Sequence, residues 1–127
     1  MDARIDVARA FGVKLGDAHI IRNAGGNAKD ALRSILISQH LLGTREIVLI
    51  KHTGCGMLTF KNEDAVAAVR KNGSKIDDSF EFDPFPDLAE GVKADVAYLK
   101  GSEGIVQGVN VSGWIYEVET GKVKQVV

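Results

Sequence analysis

The chain has 127 residues, the length of one domain, and we expect a single domain over residues 1–127. Hydrophobic residues make up 45% and charged residues 26% of the sequence, as in ordinary globular proteins, so global disorder is excluded. The formal net charge of −1 leaves no basic surplus for nucleic acid, and no apolar run is long enough for a membrane span. A cytoplasmic location is the default prediction, because the first residues form no hydrophobic signal segment.

The first half of the chain alternates between helical periodicity and short apolar runs, which is typical of an α/β fold. A short helix is predicted over residues 5–11 and a short strand over His19–Arg22. The clearest helix follows Asn27 as N-cap, with Gly43 beyond its end. Its apolar face is formed by Ala28, Ala31, Leu32, Ile35 and Leu36.

The second half begins with the run Ile47–Ile50, which does not alternate and is typical of a strand, here 46–50, that is buried on both faces. The later predicted elements are helices over 63–71 (capped by Asn62) and 87–100, an irregular stretch over 74–86, a strand over 111–118 and its hairpin partner over 122–127. With about five strands, this order predicts a mostly parallel central sheet flanked by helices, with a C-terminal antiparallel hairpin.

A candidate metal site lies just past the carboxyl end of the predicted strand 46–50, the end at which open α/β sheets bind ligands. His52 and Cys55 have the His-x-x-Cys spacing that lets one tight turn direct an imidazole nitrogen and a thiolate toward one point. Gly54 and Gly56 allow that turn, and zinc favours such ligands. From the spacing alone, a buried cysteine beside a strand-end histidine is the commoner explanation, by roughly two to one.

A carboxylate and a guanidinium stand two residues apart at the start of the chain, as Asp2 and Arg4. In an extended segment they would face the same way and pair bidentately. A solvated ion pair near a terminus is the commoner case for such a spacing.

A glycine-containing loop, Arg22–Gly26, lies between a predicted strand and a predicted helix. Gly25 and Gly26 would let backbone N–H groups approach a small anion, and a simple strand-to-helix turn is an equally good interpretation. Together with Gly56, these glycines are the candidate residues for substrate or anion binding.

Taken together, these segments resemble the β-class carbonic anhydrase family in order and spacing. The matching runs are Met1–Arg4, His19–Gly26, Ala31–Ser34, Leu42–Ile47, His52–Met57 and Gly113–Gly121. The resemblance implies a lyase that uses Zn²⁺ for the reversible hydration of carbon dioxide to bicarbonate and a proton by zinc-bound hydroxide. It also implies that CO2 and bicarbonate are the small-molecule partners, and that the chain forms a homodimer or a higher homo-oligomer.

The family's motif is Cys-x-Asp-x-Arg followed later by His-x-x-Cys. By this resemblance, His52 and Cys55 are zinc ligands. Asp2 is implied to accept a hydrogen bond from the zinc-bound hydroxide, or to become a zinc ligand itself in a closed form only. Arg4 is implied to decide between these two states by holding the carboxylate away from the metal.

The family's first zinc cysteine would come immediately before Met1, on a central strand that precedes it. We therefore expect a domain that is incomplete at the N-terminus, with Met1 as an internal residue of the family motif. Two other hypotheses stay open. One is a zinc-poor, inactive family member that acts as a binding or regulatory subunit. The other is a related zinc hydrolase, such as a carbon disulfide hydrolase, since both substrates are linear and attacked at carbon.

Overall fold

A computed structural model describes all 127 residues of the chain. The helices and strands, in chain order, are α1 (Val7–Phe11), α2 (Ala28–His40), β1 (Glu46–His52), α3 (Asn62–Lys71), α4 (Leu88–Gly101), β2 (Asn110–Tyr116) and β3 (Val123–Gln125). Single 3₁₀ turns are formed by Ala24–Gly26 and Gly56–Leu58. None of the helices combines the length and the apolar composition that crossing a bilayer requires.

The sheet has three strands in the order β1-β2-β3. Strands β1 and β2 are parallel, with Glu46 opposite Asn110 and His52 opposite Tyr116. Strand β3 pairs antiparallel with β2 through the C-terminal hairpin. The predicted α/β class, with parallel pairing and a closing antiparallel hairpin, is therefore confirmed.

The hydrophobic core lies between helices α2 and α4 and one face of the β1–β2 pair. Its buried members are Ala28, Ala31, Ile35, Leu49, Val92, Val96, Leu99, Ile105 and Val111. Helix α4 passes closely over β2 at Gly113, which has no side chain to hold it away. This packing fixes the direction of β1, and the end of β1 carries the candidate metal ligands.

Two predictions about strands are wrong. Three strands form instead of about five, and residues 19–22 belong to no strand. The main chain of residues 18–22 makes no backbone–backbone hydrogen bond. A cavity of about 160 Å³, lined by Ile21 on one side and by Val48 and Ile50 on the other, separates this segment from β1. Without a hydrogen-bonded neighbour, an apolar run does not form a strand.

Two local details also differ from the predictions. Strand β1 is not buried on both faces, since Val48 is 53% exposed whereas Leu49 is buried against the helices. Asn62 lies inside α3, and its side chain binds the backbone of the irregular stretch that follows the helix. The start of α3 is instead closed by Asp64, which accepts a hydrogen bond from the N–H of Lys61 (2.9 Å).

We expect Gly113→Ala to lower the free energy of unfolding by about 2 kcal/mol, because overpacking a close-packed core forces its neighbours to shift. An added Cβ would collide with Val92 and would lie 2.9 Å from Val96 Cγ2. Gly101→Ala is the matched control, since a Cβ there meets no atom within 4 Å. Urea unfolding measures both variants, and equal stabilities would contradict this description of the core.

Candidate functional site

His52 is the last residue of β1, and its side chain is 16% exposed. Its Nδ1 lies 2.9 Å from the carbonyl oxygen of Thr53. A carbonyl only accepts hydrogen bonds, so Nδ1 is the nitrogen that carries the proton. The lone pair of neutral His52 is then on Nε2, which lies 3.6 Å from Oδ2 of Asp2. The imidazole thus presents its ligating nitrogen to the side on which Asp2 lies.

The turn after His52 is fastened to the C-terminal hairpin through Thr53. The backbone N–H of Thr53 donates to the carbonyl of Tyr116 (3.0 Å), and its hydroxyl donates to Glu119 Oε2 (2.9 Å). The Thr53 hydroxyl oxygen also accepts from the N–H of Val118 (3.0 Å). The pKa of Glu119 is lowered by its own backbone N–H and then by the Thr53 hydroxyl, so this anchor stays ionised. The hairpin therefore holds the turn that carries the candidate ligands.

Cys55 follows in the same turn and is 6% exposed. It is a free cysteine, and its thiol makes no hydrogen bond. Gly54 adopts a φ of 63°, in the left-handed region that favours glycine, and so provides the reversal between His52 and Cys55. Gly56 begins the next 3₁₀ turn and borders open space, because an added Cβ there would meet no atom within 4 Å.

The Asp2–Arg4 pair is bidentate. Arg4 Nε donates to Oδ1 of Asp2 (3.0 Å), and Arg4 Nη2 donates to Oδ2 (2.7 Å). The N–H of Arg4 also donates to Asp2 Oδ1 (2.9 Å) and closes a turn, so the pair forms across a turn and not along an extended segment. These hydrogen bonds hold the pKa of the Asp2 carboxyl far below its ordinary value and raise the pKa of Arg4. The guanidinium also donates to the carbonyl of Gly54 (3.3 Å), so it links Asp2 to the His52–Cys55 turn.

Arg22 links the Asp2 segment to the glycine-containing loop, a role that was not predicted from the sequence. Its guanidinium donates to the carbonyls of Asp2 (2.6 Å) and Ile5 (2.8 Å). The main-chain nitrogen of Met1 donates to the carbonyl of Asn23 in the same loop (2.8 Å). No local pattern around Arg22 indicates these contacts, because they join segments about twenty residues apart.

Gly25 and Gly26 have positive φ values of 68° and 59°, and their carbonyls turn toward Lys51. The ammonium of Lys51 donates to the carbonyl of Gly25 (2.7 Å) and to that of Gly26 (3.3 Å). The N–H of Gly26 is directed at the carbonyl of Asn23 (3.5 Å). Anion binding by these glycines therefore stays a prediction. The only sequence signal for Lys51 is a charged residue at the end of an apolar strand.

Three side chains near the end of β1 are of types that zinc binds: the imidazole of His52, the thiol of Cys55 and the carboxylate of Asp2. No three His, Cys, Asp or Glu side chains of the chain are close enough together to hold a metal ion. Arg4 already occupies both oxygens of Asp2. The imidazole of His52 and the thiol of Cys55 therefore fit zinc in donor type. Arg4 holds the carboxylate of Asp2 beside the imidazole.

The carbonic anhydrase family model matches residues 1–123 of the chain. The β-carbonic anhydrase 1 of Mycobacterium tuberculosis is 41% identical over 127 residues, an alignment that covers 99% of this chain and 77% of that protein. The carbon disulfide hydrolase of Acidithiobacillus thiooxidans is 35% identical over 145 residues, covering 98% of this chain and 72% of that protein.

The fold is also similar to solved structures. The crystal structure of the carbonic anhydrase from Streptococcus mutans superposes with a TM-score of 0.95 at 44% identity. That match covers 100% of this chain and 77% of the solved chain. A family match over nearly the whole sequence, together with this agreement in fold, confirms the resemblance: the chain belongs to the β-class carbonic anhydrase family.

Proposed function

We propose that this chain catalyses the reversible hydration of carbon dioxide to bicarbonate, with Zn²⁺ held by His52 Nε2 and Cys55 Sγ. One observation carries the proposal: the Nδ1 bond to Thr53 directs the lone pair of Nε2 toward a carboxylate oxygen 3.6 Å away. The buried Cys55 thiol, which makes no hydrogen bond, lies in the same turn. Family membership and the name of the M. tuberculosis relative support the reaction.

Zinc bound at this site would lower the pKa of a water ligand to about 7 and so supply a nucleophile at neutral pH. The contribution of Thr53 is to fix the imidazole. Histidines that ligate metals almost always donate their other N–H to a carboxylate, a carbonyl or water, which sets the tautomer and the ring orientation. His52 already makes such a bond to the carbonyl of Thr53. Its lone pair is therefore preorganised for a metal before the metal arrives.

The contribution of Asp2 is that of a carboxylate that accepts and orients a hydrogen bond. Because Arg4 depresses its pKa, Asp2 is ionised throughout the neutral range and only accepts hydrogen bonds. The same arginine holds both carboxylate oxygens and so restrains Asp2 from becoming a metal ligand. Arg4 therefore decides between an orienting and a ligating carboxylate. In the overall reaction CO2 and water give bicarbonate and one proton, which leaves to solvent.

We propose that the substrate binds in the open space beside Gly56, the residue that follows Cys55. Gly25 lies against Met57, which follows Gly56, and Gly26 is the next residue of the same loop; anion binding by both stays a prediction. The single domain, the homodimer or higher oligomer and the cytoplasmic location stay predictions.

A second candidate is the hydrolysis of carbon disulfide, which is favoured by the 35% identity to a protein named for that activity. The same metal donors would serve both substrates, because each is linear and attacked at its central carbon. Parallel assays with CO2 and CS2 separate the two activities. A purified chain that holds no zinc and converts neither substrate would instead support the inactive subunit.

We expect His52→Ala and Cys55→Ser each to lose zinc and to reduce CO2 hydration at least about a hundredfold, because each removes one of the proposed protein ligands. Metal analysis after gel filtration and stopped-flow hydration measure the two effects. His40→Ala is the matched control, since His40 Nε2 bonds the carbonyl of Gly104 instead (2.7 Å). Retention of one tightly held zinc in either ligand variant would refute the ligand assignment.

We expect Arg4→Gln to raise the pKa of Asp2 toward the ordinary aspartate value of about 3.9, because the guanidinium that favours the ionised carboxylate is gone. A depressed folded-state pKa stabilises the fold above the unfolded-state pKa. The stabilisation is lost as the pH falls through the folded-state value. The variant therefore loses the stabilisation that the wild type has at pH above about 4.

Carbon-detected NMR titration of the Asp2 carboxyl measures this shift directly. Arg33→Gln removes an exposed arginine on α2 and serves as the control, with no change expected at Asp2. An Asp2 pKa that is the same in wild type and Arg4→Gln would show that the arginine does not set the charge of this carboxylate.

A further inference from the structure

Lys51 is a buried cation beside the candidate site, with a side chain that is only 3% exposed. Its ammonium lies 2.8 Å from Oδ2 of Asp95 on α4, and it donates to the carbonyls of Gly25 (2.7 Å) and Gly26 (3.3 Å). The ammonium thus has two hydrogen bonds and one close ion pair, and a buried charge is costly without such partners. Lys51 and His52 are consecutive strand residues, so their side chains leave opposite faces of β1.

The surroundings of Lys51 join it to the turn that follows Cys55. Its ammonium lies 4.4 Å from the centre of the Phe85 ring, a cation–π arrangement. The backbone N–H of Phe85 donates to the carbonyl of Met57 (3.2 Å). A cavity of about 210 Å³ on this side is lined by Lys51, Phe85 and Asp95 among others. Lys51 therefore contacts the glycine-containing loop, helix α4 and Phe85, and Phe85 in turn binds the turn that follows Cys55.

The glycine-containing loop already packs so closely against β1 and against the turn after Cys55 that it has no room to move toward either. A Cβ on Gly26 would lie 2.8 Å from the carbonyl oxygen of Ile50, and one on Gly25 would lie 2.9 Å from Cγ of Met57. The loop thus rests directly on β1 and on the turn after Cys55. Asn23 at its start accepts the bond from the nitrogen of Met1, the neighbour of Asp2. A shift of this loop would therefore move the turn and the Asp2 segment together.

We propose that Lys51 is a positioning residue. It tethers the glycine-containing loop through the carbonyls of Gly25 and Gly26 and so sets the spacing between Asp2 and the His52–Cys55 turn. This inference rests on the proposed function, because it assigns the lysine to the reaction of that site. The lysine touches no substrate and acts through the loop. The competing explanation is that Lys51 and Asp95 merely neutralise each other inside the fold.

Three variants separate the tether from charge neutralisation. Lys51→Met removes the tether and leaves the Asp95 carboxylate unpaired. Lys51→Met/Asp95→Asn also removes that carboxylate, while the amide oxygen still accepts from the N–H of Ala28, as Asp95 Oδ2 does at 3.3 Å. Val96→Ala is the matched control, since Val96 is buried on the same helix and makes no bond to the loop. Thermal stability, hydrogen exchange of residues 22–28, zinc content and kcat/KM are measured on the full zinc-loaded chain.

Lys51→Met is expected to speed exchange of residues 22–28 about tenfold and to lower kcat/KM about tenfold, with zinc content unchanged. The double variant is expected to regain most of the lost thermal stability, because no unpaired buried charge remains. Its exchange and kcat/KM should stay at the values of Lys51→Met. Val96→Ala is expected to lose thermal stability while keeping both loop exchange and kcat/KM within about twofold of wild type.

Recovery of loop exchange and kcat/KM in the double variant would overturn the proposal, since neutralisation alone would then explain the lysine. Loop exchange in Val96→Ala that matches Lys51→Met would overturn it as well. If the wild-type chain hydrates no CO2, the proposed function fails by itself. The exchange measurement still decides whether Lys51 tethers the loop, so the two failures are distinguishable.

Discussion

The alternation of side chains at the end of β1 is the constraint on which the site depends. Parallel pairing with β2 continues to the end of the strand, where His52 lies opposite Tyr116. Two consecutive residues therefore lie on opposite faces of β1. The side chain of Lys51 packs against α4, and that of His52 faces Asp2. A register slip of one residue would exchange these faces and place an ammonium where the imidazole lies. The strand register and the chemistry of the site are therefore set together.

Two ion pairs on either side of this strand differ in their physical role. The Asp2–Arg4 pair is solvent-accessible, and exposed pairs contribute little to stability, so its value lies in orienting and charging the carboxylate. The Lys51–Asp95 pair is largely buried, where a cation is costly unless all its donors are satisfied. The two hydrogen bonds of the Lys51 ammonium go to carbonyls of the glycine-containing loop, so the buried pair holds the loop as well as balancing charge.

Local patterns in the sequence predicted much of the fold. The periodic face of α2, its cap at Asn27 and the C-terminal hairpin all depend on residues close in sequence. The failed strand over 19–22 shows the limit of such patterns, since a strand needs a neighbour that its own residues do not reveal. The exposure of Val48 has the same cause, because burial depends on what packs against each face.

For the candidate site, the sequence predicted the His52–Cys55 pair and the Asp-x-Arg pair by their spacing, and the resemblance to a family implied their roles. The contacts that position these side chains could not be predicted. Arg22 reaches the Asp2 segment, and Lys51 reaches the glycine-containing loop, across about twenty residues or more. Such contacts are created by the packing of distant segments, so composition and periodicity contain no signal for them.

We propose that His52 and Cys55 share one zinc ion, and X-ray absorption at the zinc edge of the purified chain tests this assignment most directly. We expect a first shell with sulfur at about 2.3 Å and imidazole nitrogen at about 2.0–2.1 Å. Cys55→Ser, which is expected to lose the metal, should give no zinc signal after gel filtration. A shell of oxygen and nitrogen alone in the wild-type chain would contradict the claim.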